Sequence, residues 1–458
     1  MKGVTPALVL ASALLGRTAL GVEVNVDDDS SLKQAASTVA YGLMKYYTGN
    51  NTGDVPGNLP DPYYWWTAGA MFGTMIDYWF LTEDSTYNDA TMQAIVHQGA
   101  PSKDFMPLNQ TRTEGNDDQG FWAMTAMTAA EYKFPNPPSD QPQYLALAQA
   151  VFNQYVKRWD DQDCDGGLRW QIFSFNNGYN YKNSISNGCF FNIAARLARY
   201  TGNTTYSDWA TKVFEWEQKV GLISDTYDVF DGITIESDKT CKGVNQAQWS
   251  YNAGIYLHGA ANMYNISGDG TWKQRLDGIL KETQARFVKE GVLYEEFCEL
   301  NKVCNNDQEG FKGFLARWLA QTTRLAPYTT GSITPVLKAT AKAAGTACSG
   351  SPPTGFKGLA GTACGFSWLN NGAFDGIVGV PSQMDGLAAM IAPLAERGRS
   401  PFTEKTGGTS KGNPDAGSGE QKDPRALRPI MGADKVGAGF VTLIFVVRTI
   451  GGTAFMVT

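Results

Sequence analysis

Apolar residues recur at helical spacing along almost the whole chain, and two-residue alternation is scarce. Helices are predicted over 32–47, 63–79, 85–98, 117–132, 143–159, 183–200, 207–220, 248–264, 271–289, 307–325, 332–344 and 384–395, with Gly167 to Phe173 the best candidate strand. Two kinds of helix alternate. One is charged along a face and starts without distinction. The other opens on polar and aromatic residues and then turns small and apolar. Its members begin near Tyr63, Asp117, Asn183, Gln248, Asp307 and Met384, one helical hairpin every roughly 55 to 75 residues. Two starts echo each other: Asn116-Asp117-Asp118-Gln119-Gly120-Phe121 and Asn306-Asp307-Gln308-Glu309-Gly310-Phe311. Six hairpins with small, apolar second helices imply an inner ring of six helices wrapped by an outer ring of six, an all-α (α/α)6 barrel. A solenoid or two helical domains would share the periodicity. In a closed ring, the polar-aromatic starts of the inner helices gather at one end as a cleft.

The two ends of the chain read differently. Lys2, the apolar run Val4 to Leu15 and the small residues Ala19 and Gly21 predict a secretory signal peptide over 1–21. The barrel is expected over 22–400. From 401 to 435 the composition turns to Gly, Ser, Pro and charge, which reads as a flexible linker. Small residues (Asn413, Ala416 to Gly419) and a polar stretch precede an apolar tail over 436–458, as in a signal for a glycosylphosphatidylinositol (GPI) anchor. Secretion makes the seven cysteines candidates for disulfides. Cys298 with Cys304, and Cys348 with Cys364, could each close a short loop. Of Cys164, Cys189 and Cys241 one must stay free, and Cys189 is expected to be the buried thiol. Sequons at Asn50, Asn109, Asn203 and Asn265 fit the same route.

The net charge of −7 argues against a nucleic-acid partner. The only two histidines, His97 and His258, both fall in predicted helices. No cofactor and no metal centre is expected, so acid–base chemistry must rest on carboxylates. Asp161-x-Asp163-x-Asp165-Gly166 matches half a calcium loop, but the twelfth position is Ile172, and a tight turn is the default reading. The leading candidates are Asp117 and Asp118. In the plain reading Asn116 or Asp117 caps the helix and the next charge complements its dipole. In the catalytic reading two close carboxyls cannot ionise together, which provides an acid and a nucleophile. Trp65, Trp66, Phe121, Trp122, Tyr181, Asn183, Asn187, Trp249 and Tyr251 are expected to line the cleft as aromatic faces and amides for a sugar. So are Asn370 and Asn371, and Asp307 joins them as the repeat equivalent of Asp117.

Four segments carry a resemblance: Asn116 to Trp122, Leu168-Arg169-Trp170-Gln171-Ile172, Asn180 to Asn187, and Gln248-Trp249-Ser250-Tyr251-Asn252. They resemble glycoside hydrolase family 76, and most closely its fungal cell-wall mannan endo-1,6-α-mannosidase group, over about Val26 to Pro393. The resemblance implies an (α/α)6 fold and retaining attack on α-1,6-mannosyl linkages. By position, Asp117 would be the nucleophile and Asp118 the acid/base. It also implies GPI anchoring at the cell surface, a role in wall biogenesis, and substrates that are α-1,6-mannan or GPI-core glycan, with wall glucan as an acceptor. A non-catalytic wall protein that binds mannan through the same cleft is the alternative.

Overall fold

The computed structural model describes residues 21–99, 101–369 and 373–419, and six positions within 441–448. Residues 1–20 of the expected signal peptide, Asn370, Asn371 and most of the C-terminal tail lie outside the described residues. Twelve α-helices follow one another from residue 29 to residue 391. They are α1 (Asp29–Met44), α2 (Trp65–Thr82), α3 (Asn88–Gly99), α4 (Asn116–Glu131), α5 (Tyr144–Arg158), α6 (Ser184–Thr201), α7 (Thr204–Lys219), α8 (Ser250–Ser267), α9 (Gly270–Phe287), α10 (Phe311–Leu325), α11 (Thr330–Ala347) and α12 (Val380–Ile391). The even-numbered helices pack in cyclic order, each against the next, and α12 returns to α2. The odd-numbered helices pack outside them. This is the expected ring of six within six.

Burial follows the two kinds of helix. Inner helices are buried all the way round: in α4 every residue from Gln119 to Glu131 is buried. Outer helices bury one stripe, as in α9, where Trp272, Leu276, Ile279, Leu280, Thr283 and Phe287 face inward. Small residues let inner helices approach closely. A Cβ on Gly69 would lie 2.9 Å from the Trp122 ring, and one on Gly120 2.6 Å from Cys189 Sγ. Helix ends are set locally: Asn183 and Asn203 accept backbone N–H groups at the starts of α6 and α7, and Gly202 and Gly268 close α6 and α8 in left-handed conformation.

The strand expected over 167–173 is absent. Gly166 and Gly167 turn the backbone at φ of +141° and +93°, and only Gln171 makes an isolated bridge, to Gly115. The sheet forms later, from β1 (Tyr181–Asn183), β2 (Gly232–Ile235) and β3 (Cys241–Asn245), antiparallel in that order. Cys164–Cys241, Cys298–Cys304 and Cys348–Cys364 are disulfides, and Cys189 is the free, buried thiol. The aspartate loop at 160–165 is filled by a lysine. Lys182 Nζ donates to the carbonyls of Asp163 (2.6 Å) and Gly166 (2.5 Å) and pairs with the Asp160 carboxylate at 3.2 Å. The motif carboxylates point apart instead of converging: Asp161 pairs with Lys212, Asp163 with Arg169 and Asp165 with Lys219.

The stretch expected to be flexible linker is packed on the barrel as far as 419. Phe402 N donates to Glu131 O at 2.7 Å, and Asn413 N to Gln149 Oε1 at 2.6 Å. Residues 420–458 form a separate unit. No helix among the described residues is long and apolar enough to cross a membrane.

The barrel end where the inner helices finish is closed by buried ion pairs. Arg196 Nη2 meets Glu131 Oε2 at 2.6 Å, and Arg317 Nε meets Asp77 Oδ2 at 2.5 Å. Burial pushes Asp77 up and the Arg317 charge opposes it. Removing one partner strands the other charge in the core. Arg317→Leu is expected to cost about 3–5 kcal/mol in urea unfolding, and Asp77→Leu/Arg317→Leu to recover most of the loss. Additive losses would show that the pair is not the reason.

Candidate active site

The opposite end holds a cleft of about 660 Å³. Its floor is the first turn of α4, which is clamped from several sides. Asn116 N donates to Trp170 O at 2.8 Å, and its side-chain amide donates to Arg169 O at 2.8 Å. Arg158 Nη1 donates to Asn116 Oδ1 (2.8 Å) and to Gln119 Oε1 (2.7 Å), while the Tyr155 hydroxyl donates to Asn116 O. The N-cap is Gly115, one residue ahead of the expected Asn116 or Asp117. Asp118 reaches back, and its Oδ2 accepts the Gly115 N–H at 2.7 Å. Asp117 is thereby released from capping. Its Oδ1 is buried without a hydrogen-bond partner, and the Trp170 indole N–H faces the carboxyl.

Both aspartates line the cleft. Burial and then the neighbouring Asp118 charge push Asp117 well above the usual carboxylate range; the backbone N–H groups of the turn and Trp170 oppose this. Burial pushes Asp118 up to about 7; the Gly115 N–H opposes the shift and Asp307 adds to it. Two adjacent, half-buried carboxyls of this kind hold one proton between them near neutrality. Asp307 lies across the cleft, pushed up to about 6 by burial, with the Trp66 indole facing it and favouring the charge.

Of the residues expected in the cleft, Trp65, Trp66, Phe121, Tyr181, Asn183, Tyr251 and Asp307 line it. Trp66 packs on Phe121 with ring centroids 4.8 Å apart, and Tyr251 stacks on Phe311 at 3.7 Å. Three expected residues lie elsewhere. Trp122 is fully buried, between α2 and α4, against Trp65 and Phe105. Asn187 is buried, exchanging hydrogen bonds with the Leu168 backbone at 2.7 and 3.0 Å. Trp249 stands behind the wall, donating to Asp231 Oδ1 at 3.0 Å. Neither histidine reaches the cleft: His258 is buried beside Asn192 and kept neutral by burial and nearby arginines.

Glu114, Trp170, Gln171, Asp231 and Phe311 also line the cleft, although the sequence reading gave none of them a place there. Asp231 gathers Tyr181 (2.6 Å), Asn245 (3.1 Å) and Trp249 around one carboxylate. Glu114 is buried with neither carboxyl oxygen hydrogen-bonded. Burial and then the Asp118 charge push it well up, against Arg158. Its one sequence signal was an acid immediately ahead of the Gly115 turn. Five carboxyls therefore share the cleft with aromatic faces, a lining that can exchange protons and hydrogen-bond to hydroxyls. Among the described residues no cluster suits a metal ion.

The shared proton is directly testable. Carbon-13 NMR of aspartate-labelled protein should show a carboxyl titrating near 7, and Asp307→Asn should lower that midpoint by removing a like charge. A midpoint near 4 in both proteins would contradict the arrangement.

Comparison with known proteins agrees with the geometry. Glycosyl hydrolase family 76 matches residues 31–405. Mannan endo-1,6-alpha-mannosidase DCW1 of Saccharomyces cerevisiae is 46% identical over 440 residues, 95% of this chain and 95% of that protein. Mannan endo-1,6-alpha-mannosidase DFG5 of the same yeast is 40% identical over 441 residues, 95% and 94% of the two chains. The structure of Dfg5 from Chaetomium thermophilum in complex with glucosamine matches with a TM-score of 0.81 at 45% identity, over 90% of this chain and 99% of that one. An inactive variant of an alpha-1,6-mannanase of Salegentibacter sp. HEL1_6, in complex with alpha-1,6-mannotriose, shares the fold at a TM-score of 0.60 and 21% identity, over 79% and 99%.

Proposed function

The chain belongs to glycosyl hydrolase family 76, and from that membership we propose that it cleaves or transfers internal α-1,6-mannosyl linkages with Asp117 and Asp118. The observation that carries the assignment is the pair of adjacent, half-buried carboxyls on the floor of an aromatic cleft. Asp117 is the nucleophile. That role follows from its place in the family motif. Burial and the Asp118 charge push Asp117 up, and the backbone N–H groups of the turn with the Trp170 indole oppose this and stabilise the anion that attacks. Asp118 is the acid/base, since a carboxyl near 7 still carries its proton at wall pH and sits beside a second negative group.

In the first step Asp117 bonds to the anomeric carbon as the glycosidic bond breaks, and the Asp118 proton passes to the leaving oxygen. In the second step Asp118 takes a proton from an incoming hydroxyl, which displaces Asp117 from the sugar. With water the outcome is hydrolysis; with a sugar hydroxyl it is transfer. Trp66, Phe121 and Tyr251 supply flat faces for the sugar C–H surfaces. The substrates are α-1,6-mannan or the mannose arm of a GPI-core glycan, and wall glucan is an acceptor. The chain enters the secretory route through residues 1–21 and is held at the cell surface by a GPI lipid in place of the 436–458 tail. Glycans occupy Asn50, Asn109, Asn203 and Asn265, whose side chains are all exposed.

Asp117→Asn and Asp118→Asn should each lower kcat on an α-1,6-mannooligosaccharide by at least about 10³-fold in folded protein. On an α-mannosyl fluoride, whose leaving group departs without acid help, Asp118→Asn should recover turnover with azide and release an α-mannosyl azide, because the small anion attacks the glycosyl–enzyme without a base. Proton NMR should find the first-formed product in the α configuration. A β product, or full activity in either variant, would remove the pair from this role.

A further inference from the structure

The polar stretch after 400 does not hang from the barrel; it climbs one wall. Pro401 and Phe402 start at the closed end, where their carbonyls accept from Arg199 at 3.0 and 3.1 Å. The segment then follows α5 along its length. Ser410 Oγ accepts the Leu145 N–H at 2.9 Å, Gln149 Oε1 accepts the Asn413 N–H, and Asn153 Nδ2 donates to Pro414 O and Ala416 O, both at 2.7 Å. Lys157 Nζ donates to Ser418 O and, at 2.6 Å, to Gly419 O. Lys157 is next to Arg158, which clamps Asn116 at the cleft floor. From Leu145 to Lys157 the strap has therefore risen about 18 Å at 1.5 Å per residue. Gly417 is built for this path: at φ +69° a Cβ would lie 2.4 Å from Ala150 O.

We infer that this strap turns the cleft end of the barrel towards a lipid surface. The inference rests on the lipid-anchor reading, and adds the direction in which the anchor holds the enzyme. The small residues that suit lipid attachment, Ala416 to Gly419, are the last residues of the strap itself. The anchor therefore joins the chain where the strap ends, with almost no free chain between. A tether that short, leaving from the cleft end, keeps the cleft nearer the bilayer than the closed end.

The surface agrees. Among the described residues before 420, the large apolar side chains more than half exposed are Tyr64, Leu108, Phe297, Leu300, Val303 and Leu359. All six sit in the segments leading into α2, α4, α10 and α12, at the cleft end. The glycans proposed at Asn50 and Asn109 stand at this end too, so the exit of the strap, and not insertion of the rim, sets the orientation. The cleft then faces glycans that rise from the same membrane.

The test uses full-length protein purified with its anchor and reconstituted in phosphatidylcholine vesicles. Release by phosphatidylinositol-specific phospholipase C checks the anchor itself; protein that never binds vesicles would end both readings. Turnover is compared for free α-1,6-mannotriose and for the same sugar carried on a lipid in the vesicles. Asn153→Ala/Gly417→Val lifts the strap from α5, away from the cleft residues. Free-sugar turnover should stay within about twofold, while lipid-linked turnover should fall at least about tenfold as the fixed orientation is lost. Equal change on both substrates, in protein still released by the phospholipase, would overturn the orientation and leave the anchor standing.

Discussion

Two carboxyl groups on consecutive residues, half-buried at the first turn of a helix, resist being charged together. The rest of the site is arranged around that constraint. Asp118 is tied to the Gly115 N–H, which fixes its orientation and favours its charge, while burial raises it to about 7. Asp117 lines the cleft with one carboxyl oxygen, Oδ1, buried against the Gly115 turn without a hydrogen-bond partner. The turn holds because Asn116 is gripped by Arg158, Tyr155 and the Arg169–Trp170 backbone. Those partners come from α5 and the loop after it, so the outer layer and the long loop hold the chemistry that the inner ring displays.

The ring matters to the site in a second way. Inner helices buried on all sides need small residues to pack, and α4 answers with alanines, Gly120 and methionines below its polar first turn. At the closed end Asp77, Glu131, Arg196 and Arg317 are buried in pairs, and at the start of α10 Lys312 is buried against Glu299 behind the cleft wall. The cleft end keeps its carboxyls without cations among its lining residues. One end thus has matched charges and closes. The other has excess acid and an opening, which is the electrostatic setting that raises carboxyl groups into the range of neutral pH.

Much of this was legible in the sequence, for a physical reason. Helical periodicity and the alternation of amphipathic with all-round apolar helices follow directly from burial, so the twelve helices and the six-within-six ring could be read. The Asp117–Asp118 pair was legible because a polar start to an apolar helix must face the open end. What could not be read was rotation about a helix axis. Trp122 and Phe121 are neighbours, yet one packs between α2 and α4 and the other lines the cleft. Asn187 looks like a ligand amide but serves the Leu168 backbone. Trp170 and Asp231 reach the cleft from irregular segments that carry no period. Composition misled at 401–419: Gly, Ser and Pro read as flexibility, whereas Gly417 is there for close approach to α5.

The central claim is that Asp117 takes the sugar covalently. A 2-deoxy-2-fluoro-α-mannosyl fluoride slows release of the glycosyl–enzyme, and mass spectrometry of the digested protein locates the adduct. The account predicts one fluoromannosyl group on the peptide containing 113–122, with fragmentation placing it on Asp117. An adduct on Asp307, Asp231 or Glu114 would contradict it.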